Sequence, residues 1–188
     1  MPLHNIKTTK FGKAMYPHLQ EADYKFQPLG LYHVKLVISK EDAEHDIKVI
    51  NEVISNLVAD VHKAEPNKTD LIKRAPLPYL IEGDKVTFNF KMKASGINSR
   101  TKESFTQKPL GYNHDLSPLL PNTKVWSDSI LRVTYEPIGY SMSSTGIGCT
   151  LRLKSYQVKT LVTGTSTDHG FEIVEPGETA ITQANNNY

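Results

Sequence analysis

Residues 85–93, KVTFNFKMK, alternate without a break. Val86, Phe88, Phe90 and Met92 lie on one side, Thr87, Asn89, Lys91 and Lys93 on the other. Successive side chains of a strand point to opposite faces, so the pattern predicts a half-buried strand. Two later segments alternate in the same way. In 130–140, Leu131, Val133 and Tyr135 oppose Arg132, Thr134 and Glu136. In 147–162, Cys149, Leu151 and Leu153 oppose Thr150, Arg152 and Lys154. The turn-rich SMSSTG between them (141–146) joins the two as a hairpin. LYHVKLVIS (31–39) is rich in strand formers and predicts a central strand. Residues 5–19 read as extended, with Gly12 as the expected place of a bulge. Residues 21–30 read as a polar loop punctuated by Pro28 and Gly30.

One segment has a different period. Ala43, Ile47, Ile50, Ile54, Leu57, Val58 and Val61 recur at spacings of three and four, a single apolar stripe over roughly six helical turns. Ser39 is the expected N-cap, with Asp42 three residues on, and Pro66 and Asn67 the expected stop. The opposite face carries Glu44, Lys48, Glu52, Asn56, Asp60 and Lys63, mixed in sign, which describes a solvated surface. Residues 66–84 read as a proline-rich connector. Residues 96–129, broken by Gly96, Pro109, Gly111, Pro118 and Pro121, read mostly as loop, and so long a loop in a domain is usually functional. The sum is a mainly β chain of five substantial strands with one long helix between the second and third. Five strands close more readily into a small barrel than into a sandwich, so an OB-like barrel is expected. It spans residues 1–163, and 164–188 is expected to be a flexible tail.

Length and composition fit this picture. A chain of 188 residues, 38% hydrophobic and 22% charged, suits one globular domain. No apolar run approaches the roughly 18–20 residues of a membrane span, and MPLHNIKTTK has no apolar signal core, so a cytoplasmic location is expected. A single cysteine, Cys149, excludes a disulfide framework; at an apolar strand position it reads as a small core residue. The net charge of +2 hides an asymmetry. Residues 1–163 hold 22 basic and 16 acidic residues, while 164–188 hold Asp168, Glu172, Glu175 and Glu178 and no Lys or Arg. A basic body with a mildly acidic tail points toward a polyanionic partner.

Enzyme chemistry is not signalled. No phosphate loop or nucleophile elbow is present, and the seven histidines show no pair at metal-ligand spacing in the sequence. His114-Asp115 is a lone neighbour pair and reads as a loop contact. No cofactor and no metal are expected, and the chain is not read as an enzyme. What stands out is cations interleaved with rings. From Lys85 to Lys102 there are five basic residues and no acid, the last being Arg100 and Lys102. Tyr16 follows Lys13, Phe105 lies between Lys102 and Lys108, and Tyr112 and Trp126 fall in the long loop region. Sequence-independent binding of a single strand uses this combination, cations for phosphates and flat rings for unstacked bases. Phe105, Tyr112 and Trp126 fit core or ligand roles equally well. Lys91, Lys93, Arg132 and Arg152 fit either a solvated sheet face or a binding face.

The order of these features resembles a family. Tyr16-Pro17-His18-Leu19 ends a first strand, and Asp23-Tyr24-Lys25-Phe26 forms an acidic, aromatic linker. Gly30, Tyr32 and Val34 open the next strand; Lys40, Asp42 and Ala43 start the helix. Residues 129–162 close with Leu153, Gln157 and Val158. Over most of 8–162 the chain is similar to the phage-encoded OB-fold single-stranded DNA-binding proteins. The resemblance implies a non-enzymatic, cooperative or homodimeric coat on single-stranded DNA in phage replication and recombination. Annealing activity often accompanies that role, and the implied place is the cytoplasm of the infected bacterium. It also implies an acidic tail that recruits phage replication proteins. Here the tail has only four acids and ends Asn185-Asn186-Asn187-Tyr188.

The expected single-stranded DNA ligands are Lys13 and Tyr16 on the first strand and Lys91 and Lys93 on the third. Arg100, Lys102, Phe105 and Tyr112 in the loop and Arg132 and Arg152 on the hairpin complete the set. The competing reading is a structural or assembly adaptor of a virus built on the same small barrel.

Overall fold

The computed structural model describes residues 5–25, 27–64 and 73–162; the expected helix stop at Pro66-Asn67 and the tail 164–188 lie outside the described residues. The strands are β1 (Lys7–Thr8), β2 (Gly12–Asp23), β3 (Leu31–Ser39), β4 (Tyr79–Glu82), β5 (Lys85–Lys93), β6 (Ser95–Ile97), β7 (Ser104–Thr106), β8 (Leu110–Tyr112), β9 (Ile130–Met142) and β10 (Gly146–Thr160). The helix α1 (Lys40–Ala64) follows β3. Five strands close a ring in the order β9-β2-β3-β5-β10, and the long β9–β10 hairpin completes it. All its pairings are antiparallel except β5–β10, where Leu151 meets Phe90 and Arg152 meets Lys91 in parallel. This is the expected five-stranded OB-type barrel with the helix between its second and third strands.

Alternation decides which side chains fill the ring. Val86, Phe88, Phe90 and Met92 point inward with Val34, Leu36, Leu131, Val133, Tyr135, Leu151 and Leu153, all buried. Aromatic contacts run through the centre: Phe88 lies 6.1 Å from Phe90, and Phe90 lies 5.2 Å from Tyr135, both tilted. Such offset ring pairs add to plain area burial. Cys149 is buried as expected, and burial pushes its thiol up to about 11.

The helix begins where the sequence places it. The Asp42 amide donates to Ser39 Oγ at 3.2 Å, and Glu41 and Asp42 face the positive end of the helix dipole. Ala43, Val49, Ile50 and Ile54 are buried. The helix seats on the barrel at Gly139 of β9, where a Cβ would come within 3.2 Å of Val53 and 3.3 Å of Leu57.

Asp46 also lies in the buried stripe, 2% exposed. The Tyr135 hydroxyl donates to its carboxylate at 2.6 Å. Burial raises the Asp46 carboxyl above its ordinary 3.8, and the Tyr135 hydrogen bond opposes that rise. Tyr135→Phe therefore leaves a buried acceptor without its donor, and we expect it to lower stability by about 1–3 kcal/mol in urea denaturation. The native state holds this proton more tightly than the unfolded chain. The group's stabilisation is thus complete below pH 3.8 and is lost as pH rises through the raised native value. Asp46→Asn should flatten that part of the stability–pH curve.

Four expectations are corrected. Strand β2 continues to Asp23, so Glu21–Asp23 belong to a strand and not to the loop. The proline-rich connector ends in β4, which pairs with β5, and the 96–129 segment holds β6, β7 and β8. Gly12 is not a bulge. It lets β2 approach β3 closely, since a Cβ there would lie 2.6 Å from the Val37 carbonyl oxygen. The bulge falls between Met15 and His18, at Tyr16 with φ 49°.

Candidate nucleic-acid interface

The outward residues of the ring form rows across the strands. His18 of β2 pairs with His33 of β3, His33 with Lys91 of β5, Lys91 with Arg152 of β10, and Arg152 with Glu136 of β9. At about 4.8 Å between neighbouring strands, the step from His18 to Arg152 spans roughly 14 Å. Lys93 lies one outward position beyond Lys91, and Lys154 one beyond Arg152 on the parallel strand. On the other side of the row stands Lys35, its ammonium 6.0 Å from the centre of the Tyr16 ring.

The bulge in β2 explains why Tyr16 stands out. Its positive φ breaks the pairing with β3, and its amide donates to Ser127 Oγ at 3.0 Å in the loop before β9. The ring is 64% exposed, and that neighbouring loop also carries Trp126, 49% exposed. Two flat rings at the edge of a cationic row are what unstacked bases need.

Charge on this face is partly compensated. Glu136 takes Lys154 at 2.9 Å and Arg152 at 3.8 Å, and Asp23 lies 3.5 Å from His33. Lys91, Lys93 and Lys35 form no ion pair among the described residues. Burial lowers His33 below the ordinary imidazole range; the Asp23 carboxylate pulls it up, and burial wins. Asp23 is itself held low, first by the Lys25 amide.

Beyond Lys93 the chain enters the β6–β7 hairpin. Its base is tied to the end of β5, with the Gln107 amide donating to the Ala94 carbonyl, and to Leu29 ahead of β3, with Ser95 Oγ donating to the Leu29 carbonyl. Arg100 and Lys102 are exposed at its turn, and the Phe105 ring covers Gly96 on the paired strand.

The remaining expected ligands are engaged with other residues of the chain. Lys13 pairs with Asp128 at 2.7 Å. Arg132 stacks on Phe11 at 4.8 Å, and its Nε donates to Gln157 at 2.8 Å. Tyr112 sits half-buried on β8, in register with Gln157. Thus Tyr16, Lys91, Lys93 and Arg152 share one face, Arg100, Lys102 and Phe105 lie on the hairpin that follows β5, and Arg132 and Tyr112 belong to a separate cluster around Gln157. His18, His33, Lys35 and Lys154 belong to the face without having been singled out. Their signal was the outward half of each alternating strand. His114 and Asp115 form a loop contact, Asp115 accepting from Ser117.

No family model matches the chain, and no curated protein matches it in sequence. Solved structures do. The chain is similar to gp2.5, a single-stranded DNA binding protein encoded by bacteriophage T7, with a TM-score of 0.74 and 23% identity over 87% of this chain and 96% of that one. It is also similar to the single-stranded DNA-binding protein from bacteriophage Enc34 in complex with ssDNA, with a TM-score of 0.55 and 13% identity over 86% and 89% of the two chains. A C-terminal truncation of the Enc34 protein gives 0.56 and 15%. The barrel is the fold of these phage proteins.

Proposed function

We propose that the chain is a sequence-independent single-stranded DNA-binding protein, without enzymatic activity, that coats and protects single strands. The observation that carries the reading is the row His33–Lys91–Arg152, flanked by Lys93 and by Tyr16 with Lys35, on one face of an OB-type barrel. Lys91, Lys93, Lys35 and Arg152 hold phosphates, and Tyr16 stacks a base. Arg100, Lys102 and Phe105 lengthen the path along the hairpin. Lys13, Arg132 and Tyr112 contribute only by exchanging their intramolecular partners for nucleic acid. The shared fold with phage proteins that bind single-stranded DNA supports the same ligand here. It also supports a role in phage replication and recombination, annealing included, in the cytoplasm of an infected bacterium. Recruitment of replication proteins through residues 164–188 and homodimer formation belong to the same reading.

Photocrosslinking of a 5-bromodeoxyuridine oligonucleotide, mapped by mass spectrometry, tests the site. Adducts at Tyr16 and Trp126 are expected; adducts confined to α1 would place the strand elsewhere. Tyr16→Ala should cost about 1–3 kcal/mol of binding, one base stack, and leave the salt dependence unchanged.

One observation favours a second reading, an assembly adaptor. Leu77, Leu80 and Ile81, in and beside β4, are 49%, 57% and 44% exposed. An adaptor predicts stable oligomers through this edge and no salt-dependent binding of DNA.

A further inference from the structure

Two histidines that are remote from one another in sequence stand side by side in the barrel. His18 and His33 face each other directly across β2 and β3, their ring centres 4.7 Å apart and tilted by 35°. Between this pair and the next, Asp23 with Leu31, β2 uses five residues where β3 uses two. The excess chain folds Asp23 back toward the pair, so that its Oδ2 lies 3.5 Å from His33 Nε2. Its Oδ1 accepts the Lys25 amide at 2.8 Å, which fixes the carboxylate to the backbone and leaves Oδ2 turned to the imidazole. One ligand atom from each of the three residues lies within 4.8 Å of the other two.

We propose that His18, His33 and Asp23 form a binding site for a divalent transition-metal cation, Zn2+ by the chemistry of the donors. Donors bound to one tetrahedral zinc at about 2.0–2.1 Å are roughly 3.3 Å from each other. The His33–Asp23 pair nearly has that spacing already. His18 is exposed, and a rotation of its side chain that moves its ring nitrogen by up to about 1.5 Å brings it in. Two imidazoles and one carboxylate suit zinc and its transition-metal neighbours, while calcium and magnesium require all-oxygen shells. Three protein ligands leave a fourth position open to solvent, where water or a phosphate oxygen can bind. Lys91, which pairs with His33 in register, opposes the cation's charge, and the Asp23 carboxylate offsets that repulsion. The pairing of His33 with Asp23 alone would not need His18; the third donor is what separates a metal site from a simple hydrogen bond.

The metal site shares His18 and His33 with the face proposed to bind DNA, so its test contains no DNA. ZnCl2 is titrated calorimetrically into the full chain after removal of metals with a chelator. One Zn2+ per chain is expected. His18→Ala, His33→Ala and Asp23→Asn should each weaken it at least about tenfold, the loss that even an outer partner of a ligand produces. His114→Ala, on a distant loop, should leave it unchanged. Circular dichroism checks that each variant folds, and Co2+ substitution supplies a second readout, a visible d–d absorption that the three substitutions remove. No stoichiometric binding by the wild-type chain, or binding that survives all three substitutions, overturns the site while leaving the DNA reading intact.

Discussion

Reversing Lys91 and Lys93 together to Glu is expected to weaken single-stranded DNA binding on the order of a hundredfold at low salt. Each lysine is exposed, on the outward side of β5, and has no ion-pair partner among the described residues. Each reversal replaces one attraction to a phosphate by one repulsion. At surface dielectric the change is about 1–2 kcal/mol per position after screening. The barrel should not suffer, because the inward residues of the same strand, Val86, Phe88, Phe90 and Met92, are untouched. The salt dependence should become shallower by about 1.4, roughly 0.7 for each phosphate that is no longer neutralised. Anisotropy titrations with a labelled poly-dT oligonucleotide, with thermal melting as the folding control, read both effects. An affinity unchanged in a folded double variant would move the binding face away from β5.

Phe90→Ala should cost about 3–5 kcal/mol of stability. Phe90 is fully buried and lies between Phe88 and Tyr135, where β5 turns from pairing with β4 to pairing with β10. Truncation removes a ring that three strands pack around, and a closed barrel has little freedom to collapse onto the cavity. Against a typical stability of about 5–15 kcal/mol, the loss is a large fraction. Urea denaturation should show a much lower midpoint, and Phe90→Leu, which keeps most of the volume, should recover more than half of it. A loss below about 1 kcal/mol would mean that the barrel is not closed around this ring.

The core was legible because burial on one face writes a period of two into the sequence. Phe88, Tyr135 and Leu153 needed nothing beyond their neighbours to be placed inside. The helix was legible from its cap and stripe, but Asp46 was not, since its partner Tyr135 comes from a strand far along the chain. Short strands carry too few residues to show a period, which hid β6, β7 and β8, and prolines masked β4. The site divides in the same way. That Lys91 and Arg152 face outward follows from each strand alone. That they are neighbours depends on the parallel register of β5 and β10. Register also decides that Arg132 meets Gln157 and Phe11, and that His18 meets His33. The bulge that exposes Tyr16 has no glycine to announce it.

The most direct test is the affinity of the wild-type chain for a poly-dT oligonucleotide measured by anisotropy across a series of salt concentrations. Lys35, Lys91, Lys93 and Arg152 together neutralise about four phosphates, so log K should fall against log salt with a slope near −3, and a mixed-sequence oligonucleotide should behave alike. Absence of binding at low salt, or an affinity indifferent to salt, would contradict the account.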